Sequence, residues 1–177
     1  KQIKTVLVGA ELELDKSLLE LLEAPLIHII NNAVDHGIES ADGRLAAGKS
    51  EEGTITIKAF EEEENIVFTV EDDGAGMDLE RLLEKGKAMG VVNDNSTKEE
   101  LLNIIFLSGL STVEKVTDIS GRGVGMDVVK MELERAGGSV KVESERGKGS
   151  KFTLTLPKSI TTQTIQGFLI DVAGESF

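Results

Sequence analysis

The sequence contains no cysteine, only two prolines and few aromatic side chains, which make up 3% of its 177 residues. The absence of cysteine excludes disulfide bonds and thiolate metal sites, and it fits a reducing cytoplasm. No apolar run approaches the length of about 18 residues that crosses a bilayer, and the first residues carry no signal-peptide pattern. We therefore expect a cytoplasmic protein with no direct membrane insertion.

Positive charge is also scarce. The chain has 19 Lys and Arg residues against 32 Asp and Glu residues, which gives a net charge of −13 at pH 7. A surface of this sign repels nucleic acids and anionic membranes, so we expect no nucleic-acid partner. A polyanionic ligand would need helix N-termini, a divalent cation or a few placed basic residues to reverse the field locally.

The remaining composition, 40% hydrophobic and 29% charged, is typical of a folded globular domain. Alternating apolar and polar residues predict strands, and apolar residues at helical spacing predict helices. The predicted class is α+β, a two-layer sandwich with helices on one face of a mixed, largely antiparallel sheet. The predicted strands are 3–9, 11–14, 53–60, 65–71, 139–144 and 151–156, and the predicted helices are 15–22, 25–37, 40–49, 79–89, 98–107 and 126–136.

Pro157 follows the last predicted strand of this unit and marks a domain boundary. We therefore assign residues 1–157 to one domain. Residues 164–172 read as one further strand, so 158–177 are predicted to begin a second, truncated domain.

The segment around Asn32 has two different faces when it is drawn as a helix. Apolar side chains fall on one stripe, whereas His28, Asn32, Asp35 and His36 fall on the opposite one. A solvent-facing stripe usually carries Glu and Lys, while imidazole, amide and carboxylate groups suit a cleft. The amide oxygen of Asn32 is a hard ligand of the kind that Mg²⁺ takes. A merely polar surface helix is an equally good interpretation of this segment alone.

A predicted strand runs into Asp72-Asp73-Gly74-Ala75-Gly76. An ionised carboxylate only accepts hydrogen bonds, so Asp72 suits the N6 amino donor of adenine, and the glycines admit a flat base. An ordinary Asp-Gly turn is the better interpretation of this motif by itself.

Gly121-Arg122-Gly123-Val124-Gly125 precedes an amphipathic helix. Glycine backbone N–H groups that open a helix can cradle phosphate, with Arg122 as a further phosphate contact. The spacing and the missing preceding strand exclude a dinucleotide-binding Rossmann motif.

Residues 43–50 match the P-loop pattern letter for letter, but they lack the preceding apolar strand and the following helix that such a loop needs. We interpret the match as chance and expect replacement of Lys49 by alanine to leave nucleotide affinity nearly unchanged.

Read together, the segments 28–37, 72–76 and 121–125 resemble the N, G1 and G2 boxes of the ATP-binding superfamily of gyrase, heat-shock chaperones, histidine kinases and MutL. The segments 32–39, 106–112 and 120–130 further resemble the kinase domain of chemotaxis histidine kinases (CheA type). The resemblance implies a Bergerat-type ATP-binding fold, ATP and Mg²⁺ as cofactors, and a lid within 106–125. It implies Asn32 as the metal ligand and a set of site residues: His28, Asn32 and His36 as catalytic, and Asn32, Asp35, His36, Asp72, Gly74, Gly76, Ser111, Thr112, Gly121, Arg122, Gly123 and Gly125 as cofactor-binding.

The resemblance also implies a function: transfer of the γ-phosphate of Mg-ATP to a histidine on a separate phosphotransfer domain. A response regulator would be an indirect partner, and a receptor or coupling protein would bind through the SH3-like domain that 161–177 resemble. ATPases of the superfamily carry Glu where this chain has His28, which favours phosphotransfer over hydrolysis. Asn31 and Leu110 depart from the residues common in the family. A nucleotide-binding scaffold with little catalysis and a superfamily ATPase remain as alternatives.

Overall fold

The structure, a computed structural model, describes residues 1–9, 11–109 and 125–158, and the backbone of 171–172 and 175–176. The elements follow one another in a mixed order of strands and helices. They are β1 (Ile3–Val8), α1 (Lys16–Asn32), a π-helical turn (Ala33–Gly37), α2 (Ala41–Ala46), β2 (Gly53–Glu62), β3 (Asn65–Asp72), α3 (Leu79–Ala88), α4 (Lys98–Asn103), a 3₁₀ turn (Ile104–Phe106), α5 (Met126–Arg135), β4 (Ser139–Glu145), β5 (Gly149–Pro157), β6 (Asp171–Val172) and β7 (Glu175–Ser176).

Strands β1 to β5 form one mixed sheet in the order β1-β2-β3-β5-β4. The β1–β2 pair is parallel and the other three pairs are antiparallel. The short strands β6 and β7 pair with each other in a separate sheet. This mixed, largely antiparallel sheet confirms the predicted α+β class.

The core lies between one face of the sheet and helices α1 and α5. On β5, Phe152, Leu154 and Leu156 are buried at alternate positions, and they share one apolar cluster with Leu133 of α5 and Leu22 of α1. Burying each such side chain contributes about 1.5–3 kcal/mol. The helices therefore cover one face of the sheet, as the sequence pattern predicted.

Helix α1 differs from its prediction. A single helix spans Lys16–Asn32 with Pro25 inside it, where the sequence predicted separate helical stretches at 15–22 and 25–37, the second started or kinked by Pro25. Proline removes one backbone N–H donor, yet the helix continues through Pro25, which is buried on the face that also carries Leu18, Leu22 and Ile29. Asp15 is the N-cap of α1, since its side chain accepts a hydrogen bond from the Ser17 amide at 2.9 Å.

The last turn of this helical segment is wider than an α-helix. The amide of Ile38 donates to the carbonyl of Ala33 at 2.8 Å, which closes a π-helical turn over Ala33–Gly37. Single π turns occur frequently at functional sites.

The predicted strands at 11–14 and 164–172 have different outcomes. The predicted strand at 11–14 was wrong: Leu12 donates to Gly9 in a turn, and β1 pairs instead with β2, whose longer apolar pattern offers a complete ladder. Of the predicted strand at 164–172, only 171–172 lie within the described residues, where they form β6. No helix in the described part of the chain is long and apolar enough to cross a membrane.

Candidate functional site

Asp72 is a buried carboxylate at the end of β3. Only 5% of the residue is exposed, and its Oδ1 accepts a hydrogen bond from the Gly74 amide at 2.9 Å. Burial raises the pKa of Asp72, the backbone amides of Gly74 and Ser150 oppose that rise, and the negative charges of Asp73 and Glu39 add to it. The side chain is therefore an oriented acceptor in a region of low dielectric, where a polar donor on a ligand would be bound strongly.

The turn after Asp72 is packed so tightly that glycine is required. A Cβ on Gly74 would lie 2.1 Å from the carbonyl oxygen of Gly37, and one on Gly76 would lie 2.2 Å from that of Glu145. Gly76 also has a φ of +69°. Both glycines of the Asp-x-Gly-x-Gly motif thus have a steric function in the fold of the turn.

Two glycines beside Asp72 were not assigned to the site from the sequence. A Cβ on Gly149 would lie 1.8 Å from the carbonyl oxygen of Asp72, and one on Gly37 would lie 3.3 Å from the Asp72 carboxylate. Gly37 ends the segment that carries Asn32, so the tertiary structure brings that segment directly against Asp72. The sequence did contain a signal for Gly37, because this residue ends the segment 28–37 that resembles the N box. The spacing of residues along the chain could not predict its contact with Asp72.

The four polar residues predicted on α1 and its π turn lie on the less buried side. His28 and Asn32 are half-buried, Asp35 and His36 are exposed, and Ile29 on the opposite stripe is fully buried. Among the described residues, no cluster of three or more His, Cys, Asp or Glu side chains could hold a metal ion. A metal at Asn32 would therefore depend on oxygen ligands from a bound phosphate and water, and the amide oxygen of Asn32 fits such a role.

The start of α5 approaches α1. Gly125 is the N-cap of α5, and Asp127 in its first turn accepts a hydrogen bond from Ser108 Oγ at 2.7 Å. Burial lowers the pKa of His28, and the negative charge of Asp127 partly opposes this effect. His28 is therefore mainly neutral near pH 7, and Asp127 is a neighbour that the sequence did not indicate.

Several predicted site residues lie outside the described residues, namely Ser111, Thr112, Gly121, Arg122 and Gly123, as does Leu110. Two open cavities of about 300 and 650 Å³ adjoin α5 and α4, and neither is lined by Asp72 or Asn32. Neither cavity fits the candidate nucleotide site, because neither contains the buried acceptor Asp72. The second cavity is lined largely by residues of the connection between α3 and α4.

The P-loop-like segment has a different geometry from a phosphate cradle. Its first residues form α2 instead of a loop, which agrees with the interpretation as a chance match. Lys49 nevertheless contacts the candidate site, because its Nζ donates to the carbonyl oxygens of Asp73 at 2.9 Å and Gly74 at 2.7 Å. The expectation that replacing Lys49 by alanine leaves nucleotide affinity nearly unchanged rested on sequence context alone and did not foresee these contacts.

Comparison with known proteins gives consistent similarities. The family described as histidine kinase-, DNA gyrase B-, and HSP90-like ATPase matches residues 22–160. The chemotaxis protein CheA of Salmonella typhimurium is 46% identical over 178 residues, which cover 100% of this chain and 26% of that protein. The CheA of Bacillus subtilis is 41% identical over 181 residues, which cover 100% of this chain and 27% of that protein. The chain thus spans about a quarter of the length of these relatives.

Solved structures show the same fold at low identity. The catalytic domain of histidine kinase ThkA, in a nucleotide-free form, has a TM-score of 0.51 at 18% identity, covering 89% of this chain and 78% of that one. The histidine kinase domain of the Erythrobacter litoralis EL346 blue-light activated histidine kinase has a TM-score of 0.51 at 14% identity, covering 88% and 52%.

Proposed function

Because the chain belongs to the family of histidine kinase-, DNA gyrase B- and HSP90-like ATPases, we propose that it is the ATP-binding catalytic domain of a chemotaxis histidine kinase. The observation that carries the proposal is the buried, hydrogen-bonded carboxylate of Asp72, which stands against Gly37 at the end of the segment bearing Asn32. One carboxylate and one amide, held by two elements in contact, supply an acceptor for a base and an oxygen ligand for a cation.

Adenine is the base that matches this acceptor. Its N6 amino group donates, whereas the corresponding position of guanine is an acceptor oxygen. Asp72 uses Oδ1 for the Gly74 amide, and the carboxylate has further acceptor capacity for a ligand donor. Gly74 and Gly76 keep the turn compact and belong to the proposed cofactor-binding set, together with Asp35 and His36 of the π turn.

Asn32 is the proposed Mg²⁺ ligand. A cation of this kind keeps several waters and is usually bound through one or two protein oxygens together with phosphate oxygens. When bound, Mg²⁺ would neutralise charge on the phosphates, which the net charge of −13 makes necessary. Gly125 opens α5 and is a proposed phosphate contact, and the same role is proposed for Ser111, Thr112, Gly121, Arg122 and Gly123 by resemblance alone.

Phosphoryl transfer demands mainly positioning and charge neutralisation, and little covalent chemistry from the protein. His28 stands where ATPases of the superfamily carry a water-activating Glu, and its pKa is lowered by burial. We therefore propose transfer to an acceptor histidine on a separate phosphotransfer domain, with His28 and His36 beside the phosphates and slow hydrolysis in the absence of the acceptor.

The proposed setting is cytoplasmic chemotaxis signalling. The phosphotransfer domain would be the direct partner, and a response regulator would receive the phosphoryl group from it. Residues 1–157 would form the catalytic domain, and 158–177 would begin an SH3-like domain that couples to a receptor or coupling protein. The 46% identity with the Salmonella typhimurium CheA over the whole chain supports this assignment.

The test is a phosphorylation assay with radiolabelled ATP and Mg²⁺. The chain alone is expected to remain unlabelled, and a separately supplied phosphotransfer domain of a CheA protein is expected to become labelled. Transfer between separate molecules should be slow and should rise with acceptor concentration, because no tether supplies the effective concentration of about millimolar that short linkers give. Label on the chain itself, or rapid phosphate release without acceptor, would favour a self-contained ATPase. ATP binding without transfer to any acceptor would favour a scaffold.

A further inference from the structure

Behind the turn that follows Asp72 lies a cluster of four charged residues, which we call the ion-pair cluster: Glu39, Arg44, Lys49 and Asp73. The Arg44 side chain is only 2% exposed. Its Nη1 lies 3.2 Å from Glu39 Oε2 and 3.0 Å from Asp73 Oδ1, and its Nη2 lies 3.0 Å from Asp73 Oδ2. Lys49 Nζ lies 2.8 Å from Glu39 Oε1. None of these residues was assigned to the site from the sequence.

We propose that Lys49 and Arg44 are positioning residues that fix the Asp73–Gly74 peptide, and thereby aim the Asp72 carboxylate so that the site selects purines with a 6-amino group. This inference rests on the function proposed above. It assigns neither residue a direct contact with the nucleotide.

The cations of the cluster hold a single peptide plane, that of the Asp73–Gly74 bond. The carbonyl oxygen of Asp73 accepts from Lys49 Nζ at 2.9 Å and from Arg44 Nη1 at 3.2 Å. The amide on the other side of the same peptide bond, that of Gly74, donates to Asp72 Oδ1 at 2.9 Å. Because a peptide bond is planar, cations that hold its oxygen also fix the direction in which its N–H points. The direction of the Gly74 N–H in turn sets the orientation of the Asp72 carboxylate that accepts from it.

The same arrangement strengthens the hydrogen bond that it orients. A cation at a carbonyl oxygen polarises the peptide unit, and hydrogen bonds in series reinforce one another in a low dielectric. Asp72 is buried, so its bond to Gly74 lies in such an environment. Lys49 adds a second fixed point, because it also holds the carbonyl oxygen of Gly74 at 2.7 Å.

The charges of the cluster argue against a phosphate-binding role for Lys49. The two cations of the cluster are matched by the two carboxylates of Glu39 and Asp73, so no net positive charge is available for an anion. The buried guanidinium of Arg44 has further partners, including the carbonyl oxygen of Ser50 at 2.7 Å. Removing one partner from this set leaves buried polar groups unpaired, which costs free energy. We expect the turn to shift in order to pair them again.

Selectivity is the property that this geometry controls. A site built to pair with a donor on its ligand discriminates strongly against an analogue that lacks the donor, because its own buried group is then left unpaired. That discrimination depends on a carboxylate held in one direction. A carboxylate that is free to turn can accept from other donors or from water, so the preference for a 6-amino group should weaken.

The experiment measures calorimetric affinities of the full chain for Mg-ATP and for the Mg complex of purine riboside triphosphate, which lacks the 6-amino group. The variants are Lys49→Ala, Lys49→Arg and, as a matched control, Lys4→Ala, which changes an exposed lysine on β1. The contacts of Lys49 with the Asp73–Gly74 turn replace the sequence-based expectation of nearly unchanged affinity. Lys49→Ala is now expected to lose about tenfold in ATP affinity and less than about twofold for the purine analogue. Lys49→Arg should recover most of the discrimination, because a guanidinium can also donate to carbonyl oxygens.

Equal losses for both nucleotides would overturn the proposal, because they would indicate a general loss of structure or a phosphate contact. Unchanged affinities in Lys49→Ala would overturn it as well. Thermal unfolding of each variant shows whether it folds, and Arg44→Lys supplies a second, charge-preserving probe if Lys49→Ala unfolds. If the wild-type chain itself fails to bind ATP, the proposed function fails. If it binds ATP selectively and Lys49→Ala does so equally well, only the present inference fails.

Discussion

The amide of Ala75 donates a hydrogen bond of 2.9 Å to the carbonyl oxygen of Gly37. This bond ties the turn after Asp72 to the end of the segment that carries Asn32. The absence of a side chain on Gly74 permits the contact, since a Cβ there would lie 2.1 Å from the same oxygen. The proposed base-binding and metal-binding residues are therefore parts of two elements that cannot move independently without breaking this contact.

The first prediction concerns the carboxylate that would accept from adenine. Asp72→Asn replaces an acceptor oxygen with a donor, which would face the adenine amino group, and a buried mismatch of this kind costs about 1–3 kcal/mol. The ATP affinity measured by calorimetry should fall about ten- to hundredfold. Glu71→Gln is the matched control, because Glu71 precedes Asp72 on the same strand but is exposed. Equal affinity in wild type and Asp72→Asn would refute the assignment of Asp72.

The second prediction separates metal binding from base binding. Asn32→Ala removes the amide oxygen proposed as a Mg²⁺ ligand, so the gain in ATP affinity on adding Mg²⁺ should shrink markedly. Affinity in the presence of a chelator should change little. Asn31→Ala is the control, since Asn31 is the exposed neighbouring amide on the same helix. A full Mg²⁺ effect in the Asn32→Ala protein would argue against this ligand.

The third prediction tests the steric function of Gly74. In Gly74→Ala the new methyl group would collide with the backbone of Gly37, so the turn must shift, and we expect a lower melting temperature together with weaker ATP binding. Gly147→Ala provides the comparison. Nothing lies within 4 Å of a Cβ there, but the φ of Gly147 is +80°, so this variant measures backbone strain alone, about 1–2 kcal/mol. Normal nucleotide binding in Gly74→Ala would show that the turn tolerates the displacement.

The fourth prediction concerns pH. Burial holds the pKa of His28 below its ordinary value of 6.5, so between these two values the unfolded chain binds more protons than the folded one. The stability contributed by neutral His28 is then fully present above pH 6.5 and is lost as the pH falls through 6.5 towards the folded-state pKa. Chemical denaturation at several pH values should show a shallower acid-side decline in His28→Gln than in wild type.

The chain has two histidines, so proton NMR can follow the ring signal of His28 once a His36→Gln sample assigns it. Asp127→Asn removes a negative charge that raises the pKa of His28 and should lower that pKa further. Glu134→Gln, at the other end of α5 and exposed, should leave it unchanged. A rise in Asp127→Asn would contradict the electrostatic contact.

The sequence by itself determined the fold class and most strands and helices, because their patterns are local. Alternation along β5 and helical spacing along α5 depend only on which residues enter the core, and the buried Leu154 and Leu133 fit those two spacings. It also indicated Asp72 and Asn32 as candidate site residues, because the segments 28–37, 72–76 and 121–125 together resemble the three boxes of one ATP-binding superfamily, although neither residue stood out in its own segment. Pro25 was the exception among local signals, because buried packing outweighed its effect on the helix.

Only the tertiary structure decided which distant residues meet. The approach of Gly37 and Gly149 to Asp72, and of Asp127 to His28, follows from how β3, β5, α1 and α5 pack, and no periodicity encodes such distances. Lys49 illustrates the point most clearly: its local pattern suggested a phosphate loop and its context suggested no function. The folded chain instead places its ammonium on the carbonyl oxygens of Asp73 and Gly74, on the same turn that the buried Arg44 contacts.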